Sequence, residues 1–173
     1  MLQTIIPLLQ PSELSAIRTI AADVWPKTFR DILSEEQIRY MMNMMYAPDV
    51  MEAELGNGYH FDLLTVDGVP AGYVSYSQYS LPETAKLHKI YLLEKYQGLG
   101  LGSGMLEHVA VQCRRLGFRF LRLNVNKHNQ KALKAYVRNG YQKIESVKID
   151  IGNGFFMDDY VMQKELKQNP IPE

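Results

Sequence analysis

Four of the chain's 12 glycines stand in one short segment, Tyr96-Gln97-Gly98-Leu99-Gly100-Leu101-Gly102-Ser103-Gly104. Glycine lets a backbone approach a ligand closely and adopt positive φ. The segment opens a predicted helix, and the first N–H groups of a helix have no intrahelical acceptor. With the helix dipole they form an anion site suited to a pyrophosphate. Two familiar loops fail the test of spacing. A P-loop needs a Lys after its last glycine, and none stands there. In the dinucleotide fingerprint G-x-G-x-x-G, the third glycine falls on Ser103 when counted from Gly98 and on Met105 when counted from Gly100. The acidic ribose partner expected about 20 residues on is also missing from Leu121 to Asn126. A tight turn with no ligand explains a glycine cluster equally well. Further along, Tyr136 lies seven positions after Asn129. On a helix that spacing is two turns, which puts both on one side roughly 10 Å apart. A phenol of pKa about 10 is a candidate proton donor. His88, nine positions before Gln97, carries an imidazole whose ordinary pKa near about 6.5 suits a proton relay at neutral pH. His60, His108 and His128 have weaker claims, and no His pair has metal-ligand spacing, so no metal is expected.

The elements that must position these groups can be read from the spacing of apolar residues. Leu2 to Leu8 reads as a short opening strand. Ser12 caps a predicted helix over Glu13 to Val24 that Pro26 ends. Ser34 caps a second, with Gln37 at the capping-box position, that stops before Pro48. A short helix covers Asp49 to Leu55. Strands follow at Tyr59 to Val66 and Val69 to Tyr79 around the turn signal Asp67-Gly68, then at Ala85 to Leu93. A helix over Gly100 to Leu116 ends at the cap glycine Gly117, and a strand covers Phe118 to Val125. A helix over Asn129 to Asn139 ends at Gly140. Tyr141 to Ile149 and Phe155 to Leu166 form a last strand pair around Gly152-Asn153-Gly154. The order is a strand, helices, then βββ-α-β-α-ββ. This is a mixed α/β chain with one parallel step across the helix after Gly100.

Gln97, Gly100 and Gly102 meet the pattern R/Q-x-x-G-x-G/A, and here the chain resembles motif A of the GCN5-related N-acetyltransferases. The strand Lys86-Leu87-His88-Lys89-Ile90-Tyr91-Leu92-Leu93 precedes the loop as in that family. Asn129, Ala132, Tyr136, Gly140 and Tyr141 fit its N-x-x-A-x-x-x-Y-x-x-x-G-Y/F spacing. Asp158-Asp159-Tyr160-Val161-Met162 is similar to its last strand. The resemblance implies one acyl-CoA N-acyltransferase fold: a mostly antiparallel sheet with one parallel, splayed strand pair, flanked by helices. It implies acetyl-CoA as cosubstrate, with the pyrophosphate on Gln97, Gly98, Leu99, Gly100, Leu101, Gly102 and Ser103. It implies that the pantetheine arm pairs with the backbone of Ile90, Tyr91 and Leu92 as an added strand would. An amide there would also stabilise the oxyanion. Asn129, Ala132 and Tyr136 would line the CoA arm, with Tyr136 protonating the departing thiolate and His88 as the base acting through water. Each residue also has a plain structural role: Asn129 as an N-cap, Ala132 as a helix former, Tyr136 as a core aromatic, His88 as a strand residue. Gln97 replaces the commoner Arg and removes a fixed charge near phosphate, which Lys95, Lys127, Lys131 or Lys134 would offset.

The totals narrow the field. With 173 residues the chain fits one domain, with a core of about 2–166 and a fraying tail over 167–173. Lys plus Arg equals Asp plus Glu at 19 each, which argues against a general nucleic-acid binder. No run approaches the about 20 apolar residues of a membrane span, the N-terminus lacks a signal pattern, and Cys113 stands alone, so a cytoplasmic protein is expected. Cys113 reads as a small buried hydrophobe. The acids Asp31, Glu35, Glu36, Asp49, Glu52 and Glu54 could attract a cationic polyamine. The chain further resembles PaiA-type bacterial spermidine/spermine acetyltransferases around Leu87 to Leu92 and Asp159 to Met162. Other acceptors fit the same donor site: a peptide or protein N-terminus, an amino acid, or an aminoglycoside. A non-catalytic acyl-CoA-binding regulatory module is the reading from another class, and a homodimer is the assembly common in the family.

Overall fold

The computed structural model describes residues 1–167. The tail expected to fray lies outside the described residues beyond Lys167. Seven strands form one sheet in the order β1-β2-β3-β4-β5-β7-β6. They are β1 (Gln3–Pro7), β2 (His60–Val66), β3 (Val69–Gln78), β4 (Thr84–Leu92), β5 (Phe120–Asn126), β6 (Gln142–Gly152) and β7 (Phe155–Glu165). The helices are α1 (Ser15–Phe29), α2 (Glu35–Tyr46), α3 (Pro48–Gly56), α4 (Leu101–Arg115) and α5 (Gln130–Arg138). β4 and β5 run parallel, while the pairs β1–β2, β2–β3, β5–β7 and β6–β7 are antiparallel. This is the mixed sheet with one parallel step that the sequence predicts. The chain divides into two compact units. One comprises Met1–Ser77 with Lys89–Met105, the other Gln78–His88 with Leu106 onward.

In the first unit, the entry to α1 departs from expectation. Pro11–Leu14 is a 3-10 turn, and the Glu13 carboxylate, not Ser12, closes it by accepting the Leu9 and Gln10 N–H groups at 2.8 Å each. Pro26 does not end α1, which runs on to Phe29. An internal proline costs a helix about 3 kcal/mol. Here Trp25 and Phe29 are both buried on the same helix, and each buried aromatic returns about 1.5–3 kcal/mol. The Arg30 N–H still reaches the Pro26 carbonyl at 3.1 Å. The other starts follow the sequence: Ser34 Oγ accepts the Gln37 N–H at 3.1 Å, and Pro48 opens α3 where its missing N–H is harmless. Asp67 and Gly68 both take positive φ, 50° and 79°, as a tight hairpin turn requires.

The core of this unit is polar at its centre. Trp25 Nε1 donates to Tyr46 Oη at 3.0 Å, and the hydroxyls of Tyr46 and Tyr73 lie 2.6 Å apart. The Tyr91 ring of β4 packs 5.7 Å from both Trp25 and Tyr73. Beside them Lys89 Nζ meets Glu54 Oε2 at 2.7 Å, with the Tyr46 and Phe61 rings 5.6 and 5.5 Å from the ammonium.

In the second unit, β5 alternates buried Leu121, Leu123 and Val125 with half-buried Phe120, Arg122, Asn124 and Asn126. Val109, Ala110 and Cys113 of α4 and Met162 of β7 are buried as well. Gly117 ends α4 at φ 88°, as a left-handed cap residue does.

Candidate active site

The first unit carries the glycine-rich loop and the end of β4. Gly98 and Gly100 take φ of 77° and 79°, conformations that L side chains avoid. The Gly104 N–H closes onto the Gly100 carbonyl at 3.1 Å, so the amides of Leu101, Gly102 and Ser103 precede the first turn of helical bonds. Gly102 is different. It sits inside α4 without positive φ, and an added Cβ would meet no described atom within 4 Å. Glycine there costs about 1 kcal/mol relative to alanine. Neither conformation nor packing requires glycine there or at Gly104, which likewise sits in α4 with open space at its Cβ position. The residues present therefore fit the pyrophosphate of a CoA donor.

Gln97 turns its carboxamide inward, and Nε2 donates to the Leu92 carbonyl at 2.9 Å. This side chain ties the loop to the end of β4. The register of β4 with β5 stops at Leu87↔Leu123, although β4 runs on through Ile90 and Tyr91 to Leu92. Those three residues lie beyond the last parallel pair, as a splayed strand requires. Gly72 of β3 passes close beneath them: a Cβ there would stand 2.7 Å from the Tyr91 carbonyl oxygen.

The second unit carries His88, Asn129, Ala132 and Tyr136. His88 is half-buried and is the first residue of β4 past the last pair with β5. Strand alternation sends its neighbour Lys89 to the opposite face, where Glu54 balances the charge. Asn129 caps α5, with Oδ1 accepting the Ala132 N–H at 3.2 Å. Tyr136 is half-buried near the end of that helix. Gly140 at φ 87° reverses the chain, and the Tyr141 N–H returns to the Tyr136 carbonyl at 3.0 Å. The two rings then meet edge to face, with centroids 5.7 Å apart. Burial pushes the Tyr136 hydroxyl well above its ordinary pKa.

Sequence reasoning missed one group here. Asp159 of β7 is buried, and burial holds its carboxyl above the usual carboxylate range. A hydrogen bond with Asn124 and the nearby Lys86 and Lys127 charges offset part of that shift. Burial likewise holds Lys86 below the usual lysine range, against the pull of Asp159, and its Nζ lies 5.2 Å from the Tyr79 ring. The only signal was the pair Asp158-Asp159, read for its motif rather than for a charge in the sheet. Lys127 pairs with Asp158 and lies 5.6 Å from the Tyr160 ring. Among the described residues no group of three or more His, Cys, Asp or Glu could hold a metal. No helix among them is long and apolar enough to cross a membrane.

The model of the acetyltransferase (GNAT) family matches residues 14–141. The chain belongs to that family, whose class is the acetyl-CoA-dependent N-acetyltransferases. It is 28% identical to an uncharacterised N-acetyltransferase of Methanocaldococcus jannaschii over 93 residues, which are 51% of this chain and 41% of that protein. The match thus spans less than half of that relative's length. Among solved structures it is similar to the PaiA N-acetyltransferase of Thermoplasma acidophilum in complex with coenzyme A, with a TM-score of 0.80, 21% identity, and coverage of 95% of this chain and 99% of that one. The ribosomal-protein-S18-alanine N-acetyltransferase of Escherichia coli matches with a TM-score of 0.72 and 20% identity, over 97% and 96% of the two chains. These likenesses establish the fold.

Proposed function

We propose that the chain moves an acetyl group from acetyl-CoA to a primary amine by direct attack, with donor and acceptor bound together. The observation that carries the reading is the glycine cradle at the start of α4, with Gly98 and Gly100 at positive φ and Gly102 and Gly104 leaving the helix start open. Family membership supports reading the anion as the donor's pyrophosphate.

Each step then falls to a residue of this chain. The loop from Gln97 to Ser103 holds the phosphates through backbone amides and the dipole of α4. The backbone of Ile90, Tyr91 and Leu92 pairs with the pantetheine arm, and an amide of that strand stabilises the tetrahedral oxyanion. His88 takes the proton that the attacking amine sheds, through water. Tyr136 returns a proton to the sulfur as the C–S bond breaks, with Asn129 and Ala132 beside the CoA arm. Cys113 is buried and takes no part. The reading places the work in the cytoplasm, where acetyl-CoA is made and used.

A polyamine is the acceptor we propose. Asp31, Glu35 and Glu54 are engaged by Arg30, Arg39 and Lys89. Glu36, Asp49 and Glu52 stay exposed, leaving a negative surface for a polycation. The test is thiol release from acetyl-CoA against polyamines, amino acids, peptides and aminoglycosides. Release with spermidine or spermine is expected. Release only with another class corrects the acceptor, and no release with any amine despite CoA binding makes the chain a binding module. Tyr136→Phe is expected to lower kcat by about 10²-fold or more with CoA affinity unchanged. An unaltered kcat removes Tyr136 from the chemistry.

A further inference from the structure

Tyr141 is 2% exposed, and its hydroxyl has no hydrogen-bond partner among the described residues. A buried hydroxyl left unsatisfied is a net cost, and phenylalanine would fill the same volume without it. Packing therefore explains the ring of Tyr141 and not its oxygen. Tyr136 of α5 meets the ring edge to face with centroids 5.7 Å apart, and Lys164 Nζ of β7 lies 5.9 Å from it. Of these, Tyr136 is the one whose charge must change during the proposed reaction.

Tyr136 alone is a poor acid. Burial raises its pKa. A phenol pushed above about 10 gives its proton uphill to a thiolate of pKa about 8.5. Such a transfer becomes favourable only if something stabilises the phenolate.

We propose that Tyr141 is a positioning residue for Tyr136, its orphaned hydroxyl donating a hydrogen bond to the phenolate oxygen formed when Tyr136 gives up its proton. In that step the C–S bond of the tetrahedral intermediate breaks and its electron pair goes to sulfur. The Tyr136 O–H bond breaks, an S–H bond forms, and the negative charge rests on Tyr136 Oη. Tyr141 keeps its proton throughout. Electrostatics agrees, because negative charge on Tyr136 or Glu107 makes the Tyr141 hydroxyl harder to ionise and so preserves it as a donor. The chain geometry that makes this possible is the reversal at Gly140, which folds Tyr141 back onto the helix that carries Tyr136. The inference rests on Tyr136 being the acid.

The experiment is a double-mutant cycle with Tyr141→Phe, Tyr136→Phe and the pair, in the full chain. Tyr141→Phe is expected to lower kcat roughly ten- to a hundredfold, the range for losing a hydrogen bond to a charge, with KM for acetyl-CoA unchanged. Its melting temperature is expected to hold or rise, since the variant removes only an unsatisfied group. The pair is expected to be no slower than Tyr136→Phe alone, because Tyr141 acts only through Tyr136. Unchanged kcat in Tyr141→Phe, or losses that multiply in the pair, overturn the proposal and leave the acid in place. If Tyr136→Phe itself keeps full kcat, the acid reading falls and the proposal with it. A lower melting temperature with kcat intact assigns the hydroxyl a structural role only.

Discussion

Removing the charge of Glu54 is expected to harm the fold more than removing the charge of Lys89. The two groups meet at 2.7 Å but are not equally buried: the Lys89 side chain is 3% exposed and that of Glu54 is 21%. Breaking a buried ion pair from one side costs about 3–5 kcal/mol, chiefly because the other charge is stranded. In Glu54→Gln the stranded group is the ammonium, shut in by Tyr46 and Phe61. The ring contacts are the same before and after the substitution, so a net loss of about 3–5 kcal/mol is expected. In Lys89→Met the stem is replaced by apolar volume and the carboxylate can rehydrate, so a loss of about 1 kcal/mol or less follows. For a chain of this length, 1 kcal/mol shifts Tm by about 2–4 °C, so the variants should differ by several degrees. The pH dependence gives a second handle. Burial already holds Lys89 below its ordinary pKa, and the two contributions that raise it both come from Glu54. Without them the folded state releases the proton more readily than the unfolded chain does. Stability then rises with pH from the folded pKa up to the unfolded one at 10.5. The deficit of Glu54→Gln should therefore shrink as pH climbs from 7 toward 10. Urea denaturation at both pH values measures it. Equal losses in the two variants, or a deficit that grows with pH, would refute the reasoning.

Two further outcomes follow from the packing. Gly72→Ala puts a Cβ 2.7 Å from the Tyr91 carbonyl oxygen and 3.0 Å from Leu92 Cδ1, and the backbone oxygen cannot yield. A loss of about 1–3 kcal/mol in urea melts is expected, with a higher KM for acetyl-CoA because the strand proposed to pair with pantetheine is pushed aside; a silent variant would contradict this. Asp159→Asn should raise Tm at pH 7. Burial lifts the folded pKa of Asp159, so its stabilising contribution is complete below the unfolded value of 3.8 and lost as pH rises through the folded one. The gain should close as pH falls toward 4, and a Tm lowered at pH 7 would show that its hydrogen bond with Asn124 and the nearby Lys86 charge outweigh the burial.

Elements with their own local signals were legible in the sequence. Ser34, Asp67-Gly68, Gly117 and Asn129 each mark a boundary by chemistry that acts within a few residues, and each holds in the structure. Pro26 misled because a local penalty met a larger tertiary gain, the burial of Trp25 and Phe29 on the same helix face. The glycine spacing and the Asn129–Tyr136 interval gave the family, since backbone geometry at a loop and a helix face leaves its trace in residue types. What could not be read was pairing at a distance. Glu54 looked like part of an acidic surface, and only the fold brings it to Lys89, 35 positions away. Asp159 looked like half of a polar pair at a strand, and its burial comes from three strands meeting. The unsatisfied hydroxyl of Tyr141 is a property of everything around it, so no motif could encode it.

The aromatic core has a practical consequence. Trp25 is the only tryptophan of the chain and Cys113 the only cysteine. The indole belongs to the first compact unit and the thiol to the second, and both are fully enclosed. The wild-type molecule therefore carries one native reporter in each unit. Trp25 emission follows the loosening of α1 from the tyrosines around it. The rate at which a thiol reagent captures Cys113 follows the opening of the other unit. Running both along one denaturant series tells whether the two units melt as a single cooperative body or in turn, with no residue changed.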